Sequence, residues 1–248
     1  SVGVDRLQNL KIKNKILISN SHNIMNKPMV ASILSYMFSL TRGLNFLFLD
    51  KVSKKLSRKN YDLHKDIIQD CFGMSCLIVG FGSIARDLSK ILFALNMKLD
   101  AISRKKIKHK LINKFFNLKD LKKIIRNYDI VINLLPNNQE TKNIFNRTVF
   151  KKMKKTSFYI NVGRGDTNDE EDLYLALKNK IIAGAALDVF KNEPLKKNSK
   201  FYDLNNLILS PHVASFSKKY WELEAKLFEH NLKLFLQKKY NKMNNIIH

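Results

Sequence analysis

The chain has 248 residues, 45% of them hydrophobic and 10% aromatic, which is enough for one large or two small domains with a buried core. This composition excludes a fully disordered chain, and lysines interrupt every apolar run well before the roughly 20 residues that a membrane-spanning helix needs. Because 45 Lys and Arg face 21 Asp and Glu, the net charge is +24, and a polyanionic partner such as nucleic acid has to be considered.

The basic excess consists mostly of lysine, with 37 Lys against 8 Arg. Proteins that recognise nucleic acid rely mainly on Arg, whose planar guanidinium matches phosphates and guanine edges. The lysine-rich stretches at 105–110 and 151–155 lie between unrelated predicted elements. We therefore interpret the charge as a compositional background and expect neither nucleic acid nor a membrane as a partner.

The two cysteines, Cys71 and Cys76, match no CxxC spacing of the kind used for metal binding or redox chemistry. They are also too close in sequence to close a long disulfide loop. A reducing compartment fits this pattern, so we expect a cytoplasmic protein without a metal site.

The first elements along the chain are a strand and a helix. The run KILIS at 15–19 predicts a buried strand, and the apolar residues of 28–40 recur at helical spacing up to Gly43, which can close a helix. Residues 45–70 are polar and weakly periodic, which suits a connecting helix and loop.

A glycine-rich turn follows at the centre of the clearest strand and helix pattern. Strand formers at 76–79 (CLIV) lead into GFGSIA at 80–85, after which apolar residues continue at helical spacing. In a dinucleotide fingerprint, Gly80 would make the tight turn, Gly82 would let the backbone approach the pyrophosphate, and Ala85 would pack the helix on the sheet. The helix N-terminus would then face the phosphates. The alternative is a glycine turn in some other strand and helix unit.

In such a unit the next strand ends roughly 20 residues further on, and the residue there helps to select the cofactor. Residues 99–102 form that predicted strand, and Ser103, Arg104 and Lys105 follow it. The position offers no carboxylate for the adenosine ribose of NAD, whereas Arg104 with Lys105 can pair with the 2′-phosphate of NADP. NADP is therefore favoured over NAD, unless these are simply two more basic residues of a lysine-rich chain.

Further strands and helices alternate along the rest of the chain. Strands are predicted at 129–135, 158–162, 183–189 and 207–209, with helices at 118–127, 141–152 and 169–178. The economical architecture is an α/β fold with a doubly wound parallel sheet of the Rossmann type. In such sheets the ligand crevice lies at the carboxyl ends of the strands.

Three candidate catalytic residues each follow the end of a predicted strand: Arg164, Glu193 and His212. A cation that can hold a carboxylate, a histidine that can exchange a proton near neutral pH, and a glutamate that can support the imidazolium are what a 2-oxoacid reductase requires. Taken singly, each has an ordinary explanation as a surface or structural residue. Their arrangement at successive strand ends, after a dinucleotide fingerprint, favours the catalytic interpretation.

Several ordered motifs carry a family resemblance. They are INVGRG at 160–165, GAALDVF at 184–190 with EPL at 193–195, LSPHVA at 209–214, LLP at 134–136 with Glu140 and Thr141, and SVGVD at 1–5. Together they resemble the signature blocks of the D-isomer-specific 2-hydroxyacid dehydrogenases, which include phosphoglycerate dehydrogenase, formate dehydrogenase and glyoxylate/hydroxypyruvate reductase. The resemblance covers nearly the whole chain.

The resemblance implies a role for each catalytic candidate. Arg164 would bind the substrate carboxylate and polarise the 2-oxo group, while His212 would donate the proton to the carbonyl oxygen and Glu193 would orient His212. The hydride would come from the nicotinamide. The backbone at Val2 and Gly3 would also hold the substrate carboxylate.

The resemblance also implies a set of cofactor contacts and a homodimer formed through the nucleotide domain. Asp188 would contact the nicotinamide carboxamide. Besides the glycine turn and the residues at 103–105, the dinucleotide would be lined by Ser83, Ile84, Leu135, Pro136, Thr141, Val162, Gly163, Arg164, His212 and Ala214.

The chain departs from the family pattern in two places. Family members carry a longer N-terminal region, so we expect residues 1–27 to be part of a flavodoxin-like substrate domain, 28–213 to be the dinucleotide-binding domain, and 214–248 to return to the substrate domain. The substrate domain would then lack part of its core. At 30–32 the family usually has Val-Ala-Glu, and here Ser32 replaces the glutamate.

Two classes of function remain. One is an NADP-preferring reductase of a small 2-oxoacid, and the other is an inactive or nucleotide-sensing homologue that acts as a binding protein or co-regulator. The intact Arg, Glu and His favour the enzyme, since a sensor would need none of the three. Tyr220 and Trp221 either cover the substrate pocket or pack in a core.

Overall fold

A computed structural model describes residues 16–105 and 107–247. Its helices are α1 (Asn26–Thr41), α2 (Leu44–Val52), α3 (Arg58–Asp62), α4 (Ser83–Ala94), α5 (Leu121–Ile124), α6 (Arg147–Phe150), α7 (Glu170–Lys178) and α8 (Tyr220–Leu236). Its strands are β1 (Ile18–Ser19), β2 (Ser75–Val79), β3 (Lys98–Ile102), β4 (Lys114–Phe116), β5 (Ile130–Asn133), β6 (Phe158–Asn161), β7 (Gly184–Leu187), β8 (Leu207–Leu209) and β9 (Ile246–Ile247).

Seven of the strands form one parallel sheet in the order β4-β3-β2-β5-β6-β7-β8. From β2 the chain first builds outward through β3 and β4, and then returns to build the other half from β5. The strand order therefore reverses between β2 and β5, which is where an open α/β sheet binds its ligand. The predicted doubly wound Rossmann sheet is confirmed.

The central strands are continuous apolar runs because helices cover both faces of the sheet. On one face α1 and α4 pack against the strands, and Ile33 and Met37 of α1 are fully buried. On the other face α5, α6 and α7 surround an aromatic cluster in which Phe145 and Phe150 lie with ring centroids 4.8 and 5.5 Å from that of Tyr159. The ends of these strands are thus held on a rigid scaffold.

The two ends of the described chain meet in a small ribbon. β1 pairs antiparallel with β9, Ile18 opposite Ile247. The strand predicted at 15–19 is present only as β1, and the prediction that it is buried is wrong, because Ile16 and Leu17 are 66% and 41% exposed. A two-residue ribbon covers too little surface to bury them.

Two further predictions about elements differ from the structure. The helix predicted at 141–152 is reduced to α6, because Phe145 pairs with Asn168 in a parallel bridge and Asn146 caps the short helix by accepting from the Thr148 backbone N–H at 3.1 Å. The sequence also did not predict β4, a three-residue edge strand. The other predicted strands and helices of the sheet are present, with ends shifted by a few residues.

The cysteines lie in the interior of the protein. Cys71 and Cys76 are both free and buried, and burial raises the pKa of the Cys76 thiol. No helix within residues 16–105 and 107–247 is long and apolar enough to cross a membrane.

Candidate active site

The glycine turn after β2 lies at the point where the strand order reverses. Gly80 has φ +100°, and a Cβ there would come within 3.0 Å of the Leu134 carbonyl carbon at the end of β5. Its backbone N–H donates to Ile102 at the end of β3. Both features favour glycine, since a side chain would be strained in this conformation and would press on the Leu134 backbone. The turn therefore joins the ends of three neighbouring strands.

The N-terminus of α4 opens directly from this turn. Gly82 precedes the helix in an extended conformation, and nothing lies within 4 Å of a Cβ built there. The open space leaves the first N–H groups of α4 accessible to an anionic ligand.

Side chains around the start of α4 form a series of hydrogen bonds that the sequence did not predict. Ser83 Oγ donates to Asn26 Oδ1 at 3.1 Å, and Asn26 Nδ2 donates to Asp87 Oδ2 at 2.9 Å. Lys90 and Asn26, which donate to the Asp87 carboxylate, lower the pKa of Asp87. Because Lys90 offsets its charge, Asp87 adds little repulsion against an anion at the helix N-terminus. Asn26 comes from α1, so no local pattern pointed to it.

The loop after β3 carries the predicted cofactor-selecting residues. The Ser103 N–H donates to Phe116 of β4 at 3.1 Å, and the Lys105 N–H donates to Ser103 Oγ at 3.3 Å. Arg104 and Lys105 are exposed at the carboxyl end of the strand. Their positive charge is therefore available at this end of the crevice.

An aromatic contact fastens this region to the glycine turn. The Phe81 ring meets His109 edge-on at 5.3 Å and Phe115 at 5.0 Å, and the Arg86 guanidinium lies 5.5 Å from its centroid. Burial and then the charge of Arg86 lower the pKa of His109. The glycine turn, the segment after β3 and β4 are thus packed around one ring.

The loops after β5 and β6 touch each other. A Cβ on Gly163 would lie 2.6 Å from the Leu135 carbonyl oxygen, so no larger residue fits. Their backbones are set by two buried asparagines: Asn133 Oδ1 accepts from Leu135 N–H and Asn161 Oδ1 accepts from Gly163 N–H. The predicted cofactor residues on these loops are brought together.

Several of these predicted cofactor residues are buried and offer only their backbone or a small surface. Leu135, Val162 and Ala214 are 8%, 4% and 0% exposed. Thr141 is buried as well, and its hydroxyl donates to the Pro136 carbonyl at 2.7 Å. Thr141 therefore holds the loop after β5.

Arg164 stands just beyond β6. Its Nη1 donates to the Gly163 carbonyl at 2.8 Å, and its own carbonyl accepts from the Thr167 hydroxyl at 2.6 Å. The next residue, Gly165, packs so tightly that a Cβ would lie 2.0 Å from the Phe190 carbonyl carbon. This contact places the Arg164 loop against the loop that follows β7.

His212 and Glu193 form the central pair of the site. His212 Nδ1 lies 2.8 Å from Glu193 Oε2, and Glu193 Oε1 accepts from the Phe190 backbone N–H at 2.9 Å. The carboxylate is therefore fixed by the backbone while it holds the imidazole. The two side chains are 48% and 31% exposed, so the pair remains open to a ligand.

Residues 210–214, here called the histidine segment, are tied to the end of β7 through Asp188. The Asp188 carboxylate, 2% exposed, accepts from Ser210 Oγ at 2.6 Å and from the backbone N–H groups of Val213 and Ala214, both at 2.9 Å. Its carbonyl accepts from the His212 N–H at 2.8 Å. Asp188 thus fixes the backbone around His212. Ser210, which donates to this carboxylate, was not predicted from the sequence.

A cleft of about 530 Å³ lies beside the His212 and Glu193 pair. Its other walls are mostly apolar, with Phe190 and Tyr202 among them. Trp221 is 76% exposed and meets Tyr220 edge-on, so it does not pack in a core of the described residues. Val2 and Gly3, predicted to hold the substrate, lie outside the described residues.

A seven-stranded parallel sheet with a glycine turn at its point of reversal defines a dinucleotide-binding protein of the Rossmann class. Residues 34–214 match the family described as D-isomer specific 2-hydroxyacid dehydrogenase, NAD binding domain. The chain belongs to the D-isomer specific 2-hydroxyacid dehydrogenases.

Two curated relatives illustrate the match. The chain is 33% identical to a probable 2-ketogluconate reductase of Dictyostelium discoideum, over 87% of this chain and 64% of the relative. It is 36% identical to a glyoxylate reductase of Pyrococcus horikoshii, over 67% of this chain and 49% of that protein. The chain thus spans about half to two thirds of the length of these relatives.

Solved structures share the fold. A family protein from Aeromonas salmonicida has a TM-score of 0.84 and 26% identity, covering 99% of this chain and 76% of that one. The NADPH-dependent glyoxylate/hydroxypyruvate reductase of Sinorhizobium meliloti has a TM-score of 0.81 and 23% identity, with the same coverage of 99% and 76%.

Proposed function

We propose that this protein is an NAD(P)H-dependent reductase of a small 2-oxoacid, the reverse reaction being oxidation of a D-2-hydroxyacid. The observation that carries the proposal is the 2.8 Å contact between His212 and Glu193 at the carboxyl edge of the sheet. The named relatives reduce substrates of this kind, among them glyoxylate and 2-ketogluconate by their names.

The chain's own residues divide the work between binding and proton transfer. Arg164 binds the substrate carboxylate and polarises the 2-oxo group, since a guanidinium pairs with a carboxylate in a fixed geometry. With Nδ1 engaged by Glu193, the His212 imidazole has Nε2 left to donate a proton to the substrate oxygen. Glu193 keeps the ring in this orientation. The bound dinucleotide supplies the hydride.

The residues at the crevice fit such a dinucleotide. Gly80 makes the tight turn, Gly82 leaves room for the backbone approach to the pyrophosphate, and the N–H groups at the start of α4 face the same space. We propose that Arg104 and Lys105 bind a 2′-phosphate and make NADPH the preferred cofactor. The remaining proposed contacts are those of Ser83, Ile84, Ser103, Leu135, Pro136, Thr141, Val162, Gly163, Arg164, Asp188, His212 and Ala214.

The division into domains follows from the same proposal. Residues 28–213 form the dinucleotide-binding domain, while 1–27 and 214–248 belong to the substrate domain. The antiparallel pairing of β1 with β9 supports this division, because it joins segments from the two ends of the chain. We also propose a homodimer.

The test is a panel of 2-oxoacids, with glyoxylate, hydroxypyruvate and 2-ketogluconate, assayed for oxidation of NADPH and NADH. The His212→Ala variant serves as the matched blank. Turnover of at least one acid, lost in the variant, is expected. If the protein binds NADPH but turns over none of them, the nucleotide-sensing alternative replaces the enzyme.

A further inference from the structure

Two hydroxyl side chains on α1 contact the histidine segment. Ser32 Oγ donates to the Ala214 carbonyl at 2.9 Å, and the Tyr36 hydroxyl lies 2.7 Å from Ser210 Oγ. Ser32 and Tyr36 are four residues apart, so they project from the same face of the helix, one turn from each other. One helix therefore touches both ends of the histidine segment.

The direction of the Tyr36 contact is fixed by the atoms around it. Ser210 has a single hydroxyl proton, and it is donated to the Asp188 carboxylate at 2.6 Å, which can only accept. The Tyr36 hydroxyl must therefore donate to Ser210. At 3.5 Å the direct contact of Tyr36 with Asp188 is too long to compete. The phenol is protonated near neutral pH in any case, and burial raises the pKa of Tyr36 further.

These bonds lead to the backbone of His212. Asp188 accepts from the N–H groups of Val213 and Ala214, and its carbonyl accepts from the His212 N–H. His212 has φ +57°, a left-handed conformation that a non-glycine residue keeps only when its surroundings hold it. The position of the imidazole against Glu193 thus depends on the groups that hold the segment on either side.

We propose that Ser32 and Tyr36 are positioning residues that hold the histidine segment against β7 and thereby keep the His212 ring on Glu193. The inference rests on the proposed function only in taking His212 as the proton donor. Both residues act through others, since their polar contacts are to Ala214, Ser210 and Asp188. α1, which packs on one face of the sheet, thereby supports the proposed proton-transfer pair.

The test uses Tyr36→Phe, Ser32→Ala and the double variant in the full chain. The first readout is the downfield proton resonance of the His212 Nδ1–H group bonded to Glu193, assigned by its loss in His212→Gln. Each single change is expected to speed its exchange with water about fivefold, the factor for one lost hydrogen bond, and the double change about twentyfold. The second readout is kinetic: kcat falls by similar factors, while the KM for the dinucleotide changes less than about twofold.

Two matched controls remove equivalent hydroxyls elsewhere. Tyr128 is a buried tyrosine that donates to Asp100 of β3 at 2.6 Å, and Tyr128→Phe deletes this bond, which involves neither β7 nor the histidine segment. Ser35, on the same helix, donates only to the Ala31 carbonyl at 2.9 Å among the contacts of the described chain. Neither Tyr128→Phe nor Ser35→Ala should change the exchange of the His212 proton.

The proposal would be overturned if the His212 proton exchanged no faster in the folded Tyr36 and Ser32 variants than in the controls. So would the lack of this resonance in the unaltered protein, because the bond to Glu193 is its premise. If turnover survives His212→Ala, the proposed function has failed. The resonance tests the positioning separately, because it can be measured whether or not the protein turns over a substrate.

Discussion

At the scale of single residues, Glu193 is central to the candidate site, because its two carboxylate oxygens have different partners. One accepts from the Phe190 backbone and the other contacts the His212 imidazole. A side chain held by the backbone would keep its orientation during the proposed proton transfer, and this order would reduce the reorganisation that the proposed reaction requires. Changes at this pair should therefore affect turnover more than dinucleotide binding.

We expect His212→Ala to lower kcat by about 10²- to 10⁴-fold, the range that a positioned general acid supplies. The dissociation constant of NADPH, measured by its fluorescence, should change only a few-fold. His230→Ala on the exposed face of α8 is the control and should leave both quantities unchanged. Equal turnover of the two variants would contradict the role given to His212.

Arg104 should decide between the two dinucleotides. Since a charged hydrogen bond is worth about 1.5–3 kcal/mol, Arg104→Ala should weaken NADPH binding by roughly tenfold or more and leave NADH binding nearly unchanged. Titration with both cofactors measures the ratio of the dissociation constants of NADH and NADPH. Arg126→Ala, a change of another exposed arginine, should leave the ratio as it is. If the protein still prefers NADPH after Arg104→Ala, with Lys105 intact, another residue selects the cofactor.

At the scale of elements, the glycine turn is a joint between three strands, and its geometry can be tested against a second glycine. Gly80 and Gly73 have similar φ values, +100° and +74°, but only Gly80 faces backbone within 3.0 Å of a Cβ. Gly73→Ala should cost about 1 kcal/mol of conformational strain. Gly80→Ala should cost clearly more and also weaken NADPH binding. Thermal unfolding and cofactor titration of the two variants measure this, and equal losses would refute the argument.

A carboxylate also ties elements together at the amino ends of the strands. Asp129 accepts from the Ser75 N–H and hydroxyl, at 2.9 and 2.6 Å, and from Lys154 Nζ at 2.5 Å. Burial alone would raise the pKa of Asp129, but the donors Lys154 and Ser75 outweigh it, and the pKa lies below its ordinary value.

The stabilisation by Asp129 should therefore depend on pH. Because the folded-state pKa is lowered, the contribution is fully present above the unfolded value of about 3.9 and is lost as the pH falls through the folded-state pKa. We expect the free energy of unfolding of the wild type and Asp129→Asn to converge as the pH falls from about 5 to about 2. Asp62→Asn, which loses a surface pair with Arg58, should show little effect. A difference that is constant with pH would contradict this.

The elements differ in how far the sequence could predict them. The central strands were predictable because strands buried on both faces are uninterrupted apolar runs. The end of the helix predicted at 141–152 was not, because its limit is set by the bridge between Phe145 and Asn168, a contact across the fold. Likewise the residues after strand ends pointed to Arg164, Glu193 and His212, whereas Tyr36 reaches Ser210 across 174 positions and leaves no local pattern.

At the scale of the whole molecule, most of the basic residues behind the net charge of +24 do not belong to the candidate site. The basic residues of the candidate site are Arg164, which follows β6, and Arg104 and Lys105, which follow β3. On α8 the lysines at 226 and 233 pair with glutamates one turn earlier, at 2.6 Å in both cases, which is typical of a solvated helix face. The charge is thus a background on which three residues carry the proposed binding functions.

The apolar surface of the molecule is a better indication of a partner. On α2, Phe48, Leu49 and Val52 are 66%, 42% and 82% exposed, and they line a groove of about 230 Å³ with Tyr202. Contiguous exposed apolar side chains mark protein interfaces, and the proposed homodimer gives them a second copy of this chain as partner.

Replacing two of these side chains should therefore dissociate the dimer. We expect Phe48→Glu with Val52→Glu to shift the protein from dimer to monomer in sedimentation equilibrium, because a buried unpaired charge is costly at an interface. Phe93→Glu, at an apolar position 55% exposed on α4, should leave the mass unchanged. A dimer that persists in the double variant would place the interface elsewhere, and a monomeric wild type at micromolar concentration would exclude the dimer.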